Sequence, residues 1–155
     1  MRLTEVENSK ATRGLWPQRG PMDMSFIKPF MVDATQVPLD SGDAEVFGTV
    51  KWRTLICGDV TPAAGTVMGI AEFDAGGTLR PHRHEPYEIY FGLSGSGTVT
   101  IDGIPHEIRQ GVTILIPENA LHGTVAGPEG LSFLYTFPKD RFSDVEYRFA
   151  ENNIE

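Results

Sequence analysis

Two imidazoles and a carboxylate stand at strand spacing in the run Arg80-Pro81-His82-Arg83-His84-Glu85-Pro86-Tyr87-Glu88-Ile89-Tyr90. A third imidazole, His122, follows after a glycine-rich, β-like stretch. Side chains alternate faces along an extended segment, so His82 and His84 point one way and Glu88 and Tyr90 form a second such pair. Three neutral imidazoles and one carboxylate suit a divalent first-row metal such as Fe(II), Mn(II), Ni(II), Cu(II) or Zn(II). The chain has four histidines, and three of them fall in this arrangement. Burying these four side chains without a metal would require a hydrogen-bond partner for each, and nothing nearby in sequence supplies one. His106, in the segment Ile104-Pro105-His106-Glu107-Ile108, is expected to face solvent.

Further residues could act beside such a centre. Tyr90 shares the inward face of Glu88 and should reach the cavity next to the metal. Strands favour aromatic residues anyway, so a core ring and a reactive phenol are both compatible with it. A phenol near a cation has a lowered pKa and could serve as a general base. Tyr87 has the opposite parity and reads as structural. Arg80 has the parity of His82 and could hold a substrate carboxylate at the cavity mouth, although Pro81 interrupts the strand. Trp52 could add an aromatic wall, with core packing as its default. Met68 with Ile70, or alternatively Val67 with Phe73, would give an apolar lining.

The elements that must position these groups are short strands. At 155 residues the chain forms one domain with an extension, divided here into an N-terminal arm over 1–45 and a single barrel domain over 46–155. The arm holds scattered apolar anchors (Trp16, Phe26, Ile27, Phe30, Met31), and its prolines exclude a long helix past residue 16. A short helix near residues 2–12 is compatible with it, and the arm could cap the barrel or supply an oligomer contact. From Glu45 onward the texture is all-β. Strands are expected over 46–57, 66–73, 88–93, 98–101, 104–108, 112–116, 121–125, 131–137 and 145–149. Asp102-Gly103 between alternating apolar residues predicts a two-residue hairpin turn with positive φ. Short strands at this spacing indicate a sandwich or barrel.

Net charge is −8 and no long basic run occurs, which argues against nucleic-acid or anionic-membrane partners. Cys57 is the sole cysteine, so no intrachain disulfide forms, and a buried apolar role is expected for it. No apolar stretch nears membrane-spanning length and no signal-peptide core is evident. The expectation is a cytoplasmic protein acting on a small molecule.

The pattern resembles the cupin superfamily. Its first motif, G-x5-H-x-H-x3-E-x6-G, is met by Gly76, His82, His84, Glu88 and Gly95. Its second, G-x5-P-x-G-x2-H-x3-N, is met by Gly111, Pro117 and His122, with Asn119 in place of glycine and Ala126 in place of asparagine. The resemblance covers about residues 45–138. It implies a double-stranded β-helix barrel, all-β, with one divalent metal per chain held by His82, His84, Glu88 and His122. Fe(II) is placed first and Mn, Ni, Zn or Cu remain open. A homodimer is the family-level expectation.

Within that superfamily, the sequence His82-x-His84-x3-Glu88-x-Tyr90 in a short acidic chain resembles the bacterial cupin-type dimethylsulfoniopropionate lyases. In those enzymes the substrate carboxylate meets the metal and a tyrosine removes the adjacent proton, releasing dimethyl sulfide and acrylate. That resemblance implies a catalytic Tyr90, with Arg80 and Trp52 as candidate substrate contacts. Two alternatives stay open: an Fe(II) dioxygenase acting on a small enolisable substrate, and a non-catalytic small-molecule or sugar-binding cupin.

Overall fold

The computed structural model describes the backbone of residues 3–6 and the whole of residues 28–150. Most of the arm, including Trp16, Phe26 and Ile27, lies outside those residues. The described strands are β1 (Leu3–Val6), β2 (Asp40–Ser41), β3 (Lys51–Ile56), β4 (Val67–Phe73), β5 (Thr78–Arg83), β6 (Glu88–Ile101), β7 (Ile104–Arg109), β8 (Thr113–Ile116), β9 (His122–Phe137) and β10 (Tyr147–Ala150). One helical turn, α1 (Ala44–Phe47), precedes β3.

All ten strands belong to one curled sheet whose main path runs β1-β10-β5-β9-β4-β3-β2, with β6 joining β7, β8 and β9. The two longest strands close the barrel. The first half of β6 pairs with the second half of β9 from Ile89↔Thr136 to Gly95↔Leu131, and their remaining halves pair from Gly97↔Ala126 to Ile101↔His122. Register shifts lie between Gly92 and Ser94 and between Gly95 and Gly97. Such bulges bend a strand without ending it. They explain why the sequence pattern, broken at Ser94-Gly95-Ser96-Gly97, reads as two strands where the chain makes one. The buried parity changes across them: Glu88 and Tyr90 face inward before the bend, Val99 and Ile101 after it. A Cβ at Gly95, where φ is 67°, would collide with the Gly130 backbone, so glycine is required there.

Three local features depart from expectation. Residues 46–47 belong to α1 rather than a strand, because the Asp43 side chain accepts from Glu45 N–H as an N-cap and Gly48, at φ 89°, ends the turn. Residues 3–6 form β1, antiparallel to β10 from Leu3↔Ala150 to Val6↔Tyr147, rather than part of a short helix. Val145 precedes β10, after a 3-10 turn at Phe142–Asp144. The hairpin behaves as expected, with Asp102 and Gly103 at φ 46° and 83° between β6 and β7.

The barrel interior is filled by inward side chains of β4, β6, β8 and β9, including Val67, Phe73, Val99, Ile116, Phe133 and Phe137. Each such side chain stabilises the fold by about 1.5–3 kcal/mol relative to exposure. In β4 the buried set is Val67, Gly69, Ala71 and Phe73, whereas Met68 and Ile70 are half-buried on the other face. Cys57 is fully buried. Its thiol is pushed up to about 11, chiefly by burial, which suits an inert packing role. Among the described residues no helix is long and apolar enough to cross a membrane.

Candidate metal centre and its cavity

His82 lies near the end of β5, His84 just beyond it, Glu88 opens β6 and His122 opens β9. The sheet brings them together: His82 pairs with His122 across β5 and β9. All four are buried, and one ligand atom from each lies within 4.8 Å of every other. His106 is exposed and takes no part.

The three rings are oriented in the same way. His82 Nδ1 lies 2.9 Å from the Arg80 carbonyl, His84 Nδ1 2.9 Å from that of Pro86, and His122 Nδ1 2.9 Å from that of Ala120. A carbonyl oxygen only accepts, so each Nδ1 is the donor and each neutral ring carries its lone pair on Nε2. His84 Nε2 lies 3.1 Å from Glu88 Oε2 and His122 Nε2 3.3 Å from it. His122 Nε2 is buried without a hydrogen-bond partner. Lone pairs facing a carboxylate at these distances repel until a cation stands among them, so the donor set fits one metal ion.

Protonation states agree with that fit. Burial, reinforced by His122 and His84, pushes the His82 imidazolium well below its ordinary 6.5, leaving a neutral ligand. Burial would raise the Glu88 carboxyl, but hydrogen bonding and positive charge at the His122 and His84 nitrogens outweigh it and bring it down to about 2. Where both Nε2 atoms act as ligands, that role passes to the metal. The carboxylate stays ionised, and positive charge at this point, whether proton or metal, is stabilised by it.

The second-motif glycine position is filled by Asn119 at φ 57°. Asparagine tolerates this left-handed conformation better than other side-chain-bearing residues, so the turn before His122 survives the substitution. Asn119 N–H also donates to the His84 carbonyl at 2.9 Å, tying the two ligand-bearing segments together.

A narrow cavity of about 50 Å³ opens beside this centre. His82 and Glu88 reach it, and Tyr90 and Trp52 line it. Tyr90 is 1% exposed. Its ring stacks on Phe133 at 4.1 Å and meets His122 edge-on at 6.3 Å. Burial first, and then the Glu88 carboxylate, hold the Tyr90 phenol well above its ordinary 10. Tyr87 is exposed.

Arg80 is placed elsewhere. Its guanidinium donates to the carbonyl of Glu45 and, at 3.4 Å, to that of Ala150, and Leu79 lines the cavity instead. The reason is a register shift in β5 between Leu79 and His82, which breaks the parity that would have carried Arg80 to the side of His82. The wall also includes Phe47, Tyr135, Phe142 and Tyr147, none of which the motif spacing marks. Tyr147 and Phe149 alternate as the buried face of β10, and that parity is the signal that could have found Tyr147.

The Cupin domain family matches residues 69–137. The dimethylsulfoniopropionate lyase DddW of Ruegeria pomeroyi is 57% identical over 122 residues, which span 79% of this chain and 80% of that protein. Among solved structures, the polyketide cyclase RemF from Streptomyces resistomycificus has a TM-score of 0.65 and 27% identity, covering 81% of this chain and 89% of its own. A chain from the crystal structures of the DMSP lyases RdDddP and RnDddQII has a TM-score of 0.61 and 19% identity, covering 74% of this chain and 63% of its own, a likeness of fold.

Proposed function

The chain belongs to the cupin family, and on that premise we propose that it is a metal-dependent lyase cleaving dimethylsulfoniopropionate to dimethyl sulfide and acrylate. The observation that carries this reading is that Glu88 and Tyr90, two residues apart on β6, line one cavity. A carboxylate that binds metal and a phenol that takes a proton thus open on the same substrate. The identity to the Ruegeria pomeroyi lyase supports the choice of substrate.

His82, His84, Glu88 and His122 hold one divalent metal per chain, with Fe(II) as our first choice. A cation bound there supplies a Lewis-acid seat for the substrate carboxylate and the positive charge that offsets Glu88 beside the Tyr90 phenol. Burial and the Glu88 charge hold the phenol protonated. Tyr90 Oη acts as phenolate only with a cation at the centre outweighing both, and then takes the proton from the carbon next to the carboxylate. The C–H electron pair becomes the second bond of acrylate while the C–S bond breaks. Dimethyl sulfide leaves neutral with the electrons of that bond, and Tyr90 retains the proton as a phenol. The apolar wall around Tyr90, with Phe133 stacked on its ring, limits water access to the base. Trp52 bounds the substrate space; Arg80 acts through the Glu45 and Ala150 backbone rather than on the substrate.

We further propose a cytoplasmic homodimer. Its supporting feature is the exposed apolar surface at Phe30, Met31 and Val32, where the arm enters the barrel.

The test is headspace dimethyl sulfide from Fe(II)- or Mn(II)-loaded protein given dimethylsulfoniopropionate, with and without O2, against a chelated control. Release that needs metal and not O2 is the expected result. No release from well-metallated protein would overturn the lyase assignment, and strict O2 dependence would replace it with the dioxygenase.

A further inference from the structure

The short segment that delivers His122 is held residue by residue. Asn119 N–H donates to the His84 carbonyl at 2.9 Å, and the Ala120 carbonyl accepts from His122 Nδ1 at 2.9 Å. His122 itself stands opposite His82 on β5 and Ile101 on β6. Leu121 lies between the carbonyl that orients the ring and the residue that carries it, and it precedes the first residue of β9. It is held from outside the site, by Asp102 of the β6–β7 hairpin. Asp102 N–H donates to the Leu121 carbonyl at 2.8 Å, and Asp102 Oδ1 accepts from Leu121 N–H at 2.9 Å. One residue thus takes both backbone polar groups of Leu121.

An antiparallel ladder is built by facing residues that exchange N–H and C=O. After Ile101 the chain leaves β6 through Asp102 and Gly103, at φ 46° and 83°. The carboxylate oxygen of Asp102 stands in for a backbone carbonyl and carries the ladder one residue past the turn. The turn alone does not need that oxygen, because glycine or asparagine also serves at this position of a hairpin with positive φ. What the carboxylate adds is a fixed Leu121, and with it the Ala120 carbonyl on one side and His122 on the other. The bond is exposed, so its contribution to global stability is modest and its effect belongs at the ligand.

We infer that Asp102 is a positioning residue for the centre, aiming the His122 imidazole through the backbone of Leu121. The inference rests on the four-ligand centre and not on the lyase chemistry. His122 Nε2 is buried without a hydrogen-bond partner, 3.3 Å from Glu88 Oε2, and its usefulness as a ligand depends on where the backbone sets the ring. Groups that orient a ligand in this way are worth about 10- to 100-fold in metal affinity.

The test measures Zn(II) affinity by competition with a chromophoric chelator in the wild type, Asp102→Gly and Asp102→Asn. Glycine keeps the positive φ and deletes the acceptor, whereas asparagine keeps both. Asp102→Gly should lose affinity about tenfold or more, and Asp102→Asn should stay close to the wild type. Leu121 amide exchange in the metal-free protein should quicken in the glycine variant alone. In a His122→Ala background Asp102→Gly should cost no further affinity, because the ring it positions is gone. Wild-type affinity in Asp102→Gly would overturn the inference, as would an equal loss with and without His122, which would reduce Asp102 to a general stabiliser of the fold. A loss in Asp102→Asn as large as in Asp102→Gly would overturn it too, by making charge rather than position the cause. These outcomes presuppose Zn(II) uptake by the wild type; no uptake would refute the centre itself and this role with it, whatever the dimethyl sulfide assay shows.

Discussion

The Tyr135 hydroxyl occupies the space where a side chain on Gly69 would begin. The two residues face each other in register across β9 and β4, and a Cβ at Gly69 would collide with the Tyr135 hydroxyl, its ring and the Arg53 carbonyl. Tyr135 is itself paired with Tyr90 on the other side of β9. The absence of a side chain on one strand thus fixes a ring in the cavity wall and, through it, the neighbour of the proposed base.

Gly69→Ala should therefore destabilise the protein by about 1–3 kcal/mol, as overpacking of a dense interior does. It should also push Tyr135 toward the substrate space. The expected readout is a lowered thermal midpoint together with weakened substrate binding at unchanged metal content. An unchanged midpoint would mean that β4 and β9 separate easily, contrary to the packing described.

Tyr90→Phe should remove turnover by about 10²- to 10⁴-fold, the usual range for loss of a positioned acid–base group. The ring contact with Phe133 is kept, so folding and metal content should match the wild type. Metal analysis alongside the dimethyl sulfide assay checks both halves. Turnover close to wild type would take the role of base away from Tyr90.

Much of this arrangement was legible in the sequence because the ligands carry their own spacing. His82 and His84, and Glu88 and Tyr90, share faces by strand parity alone, and the four ligand positions of the cupin pattern converge in the fold. The Asp102-Gly103 turn was equally local. What escaped was set by irregularity or by tertiary placement. The shift between Leu79 and His82 turns Arg80 outward, and two bulges make one strand of an apparent pair in β6. Phe47 enters the wall because an Asp43 cap winds residues 44–47 into a turn, a feature that alternation of apolar residues hides. Tyr147 reaches the centre because β10 pairs with β5 at Phe149↔His82, a contact between residues far apart in the chain.

Removal of a ligand should be separable from removal of the base. His84→Ala and His122→Ala each delete a lone pair that faces Glu88, and dialysed protein should retain far less than one metal per chain. His106→Ala, altering an exposed ring, should keep the wild-type content. Elemental analysis of the three variants decides the matter, and full metal retention in both ligand variants would sink the four-residue centre.

The metal-free protein should lose stability steadily in acid, and the groups responsible can be named. His82 sits well below 6.5 in the fold, because of burial and then His122 and His84. Glu88 sits at about 2 against an ordinary 4.5. For both, the folded value is the lower one, so the unfolded chain binds more protons through the interval between folded and unfolded values, and stability rises with pH there. The stabilisation is complete above pH 6.5. It is eroded first through His82 as pH falls past that value, and Glu88 adds its share below 4.5. Each group contributes at most about 1.4 kcal/mol per pH unit within its interval. Thermal unfolding of chelated protein from about pH 7.5 to about pH 5 should thus show a falling midpoint, governed by His82. In metal-loaded protein the same protons compete for the same Nε2 lone pairs, so metal release should set in over the same range. A midpoint in the chelated protein that stays flat across this range would mean that His82 is already protonated in the fold, and with it the neutral-ligand description of the centre would fail.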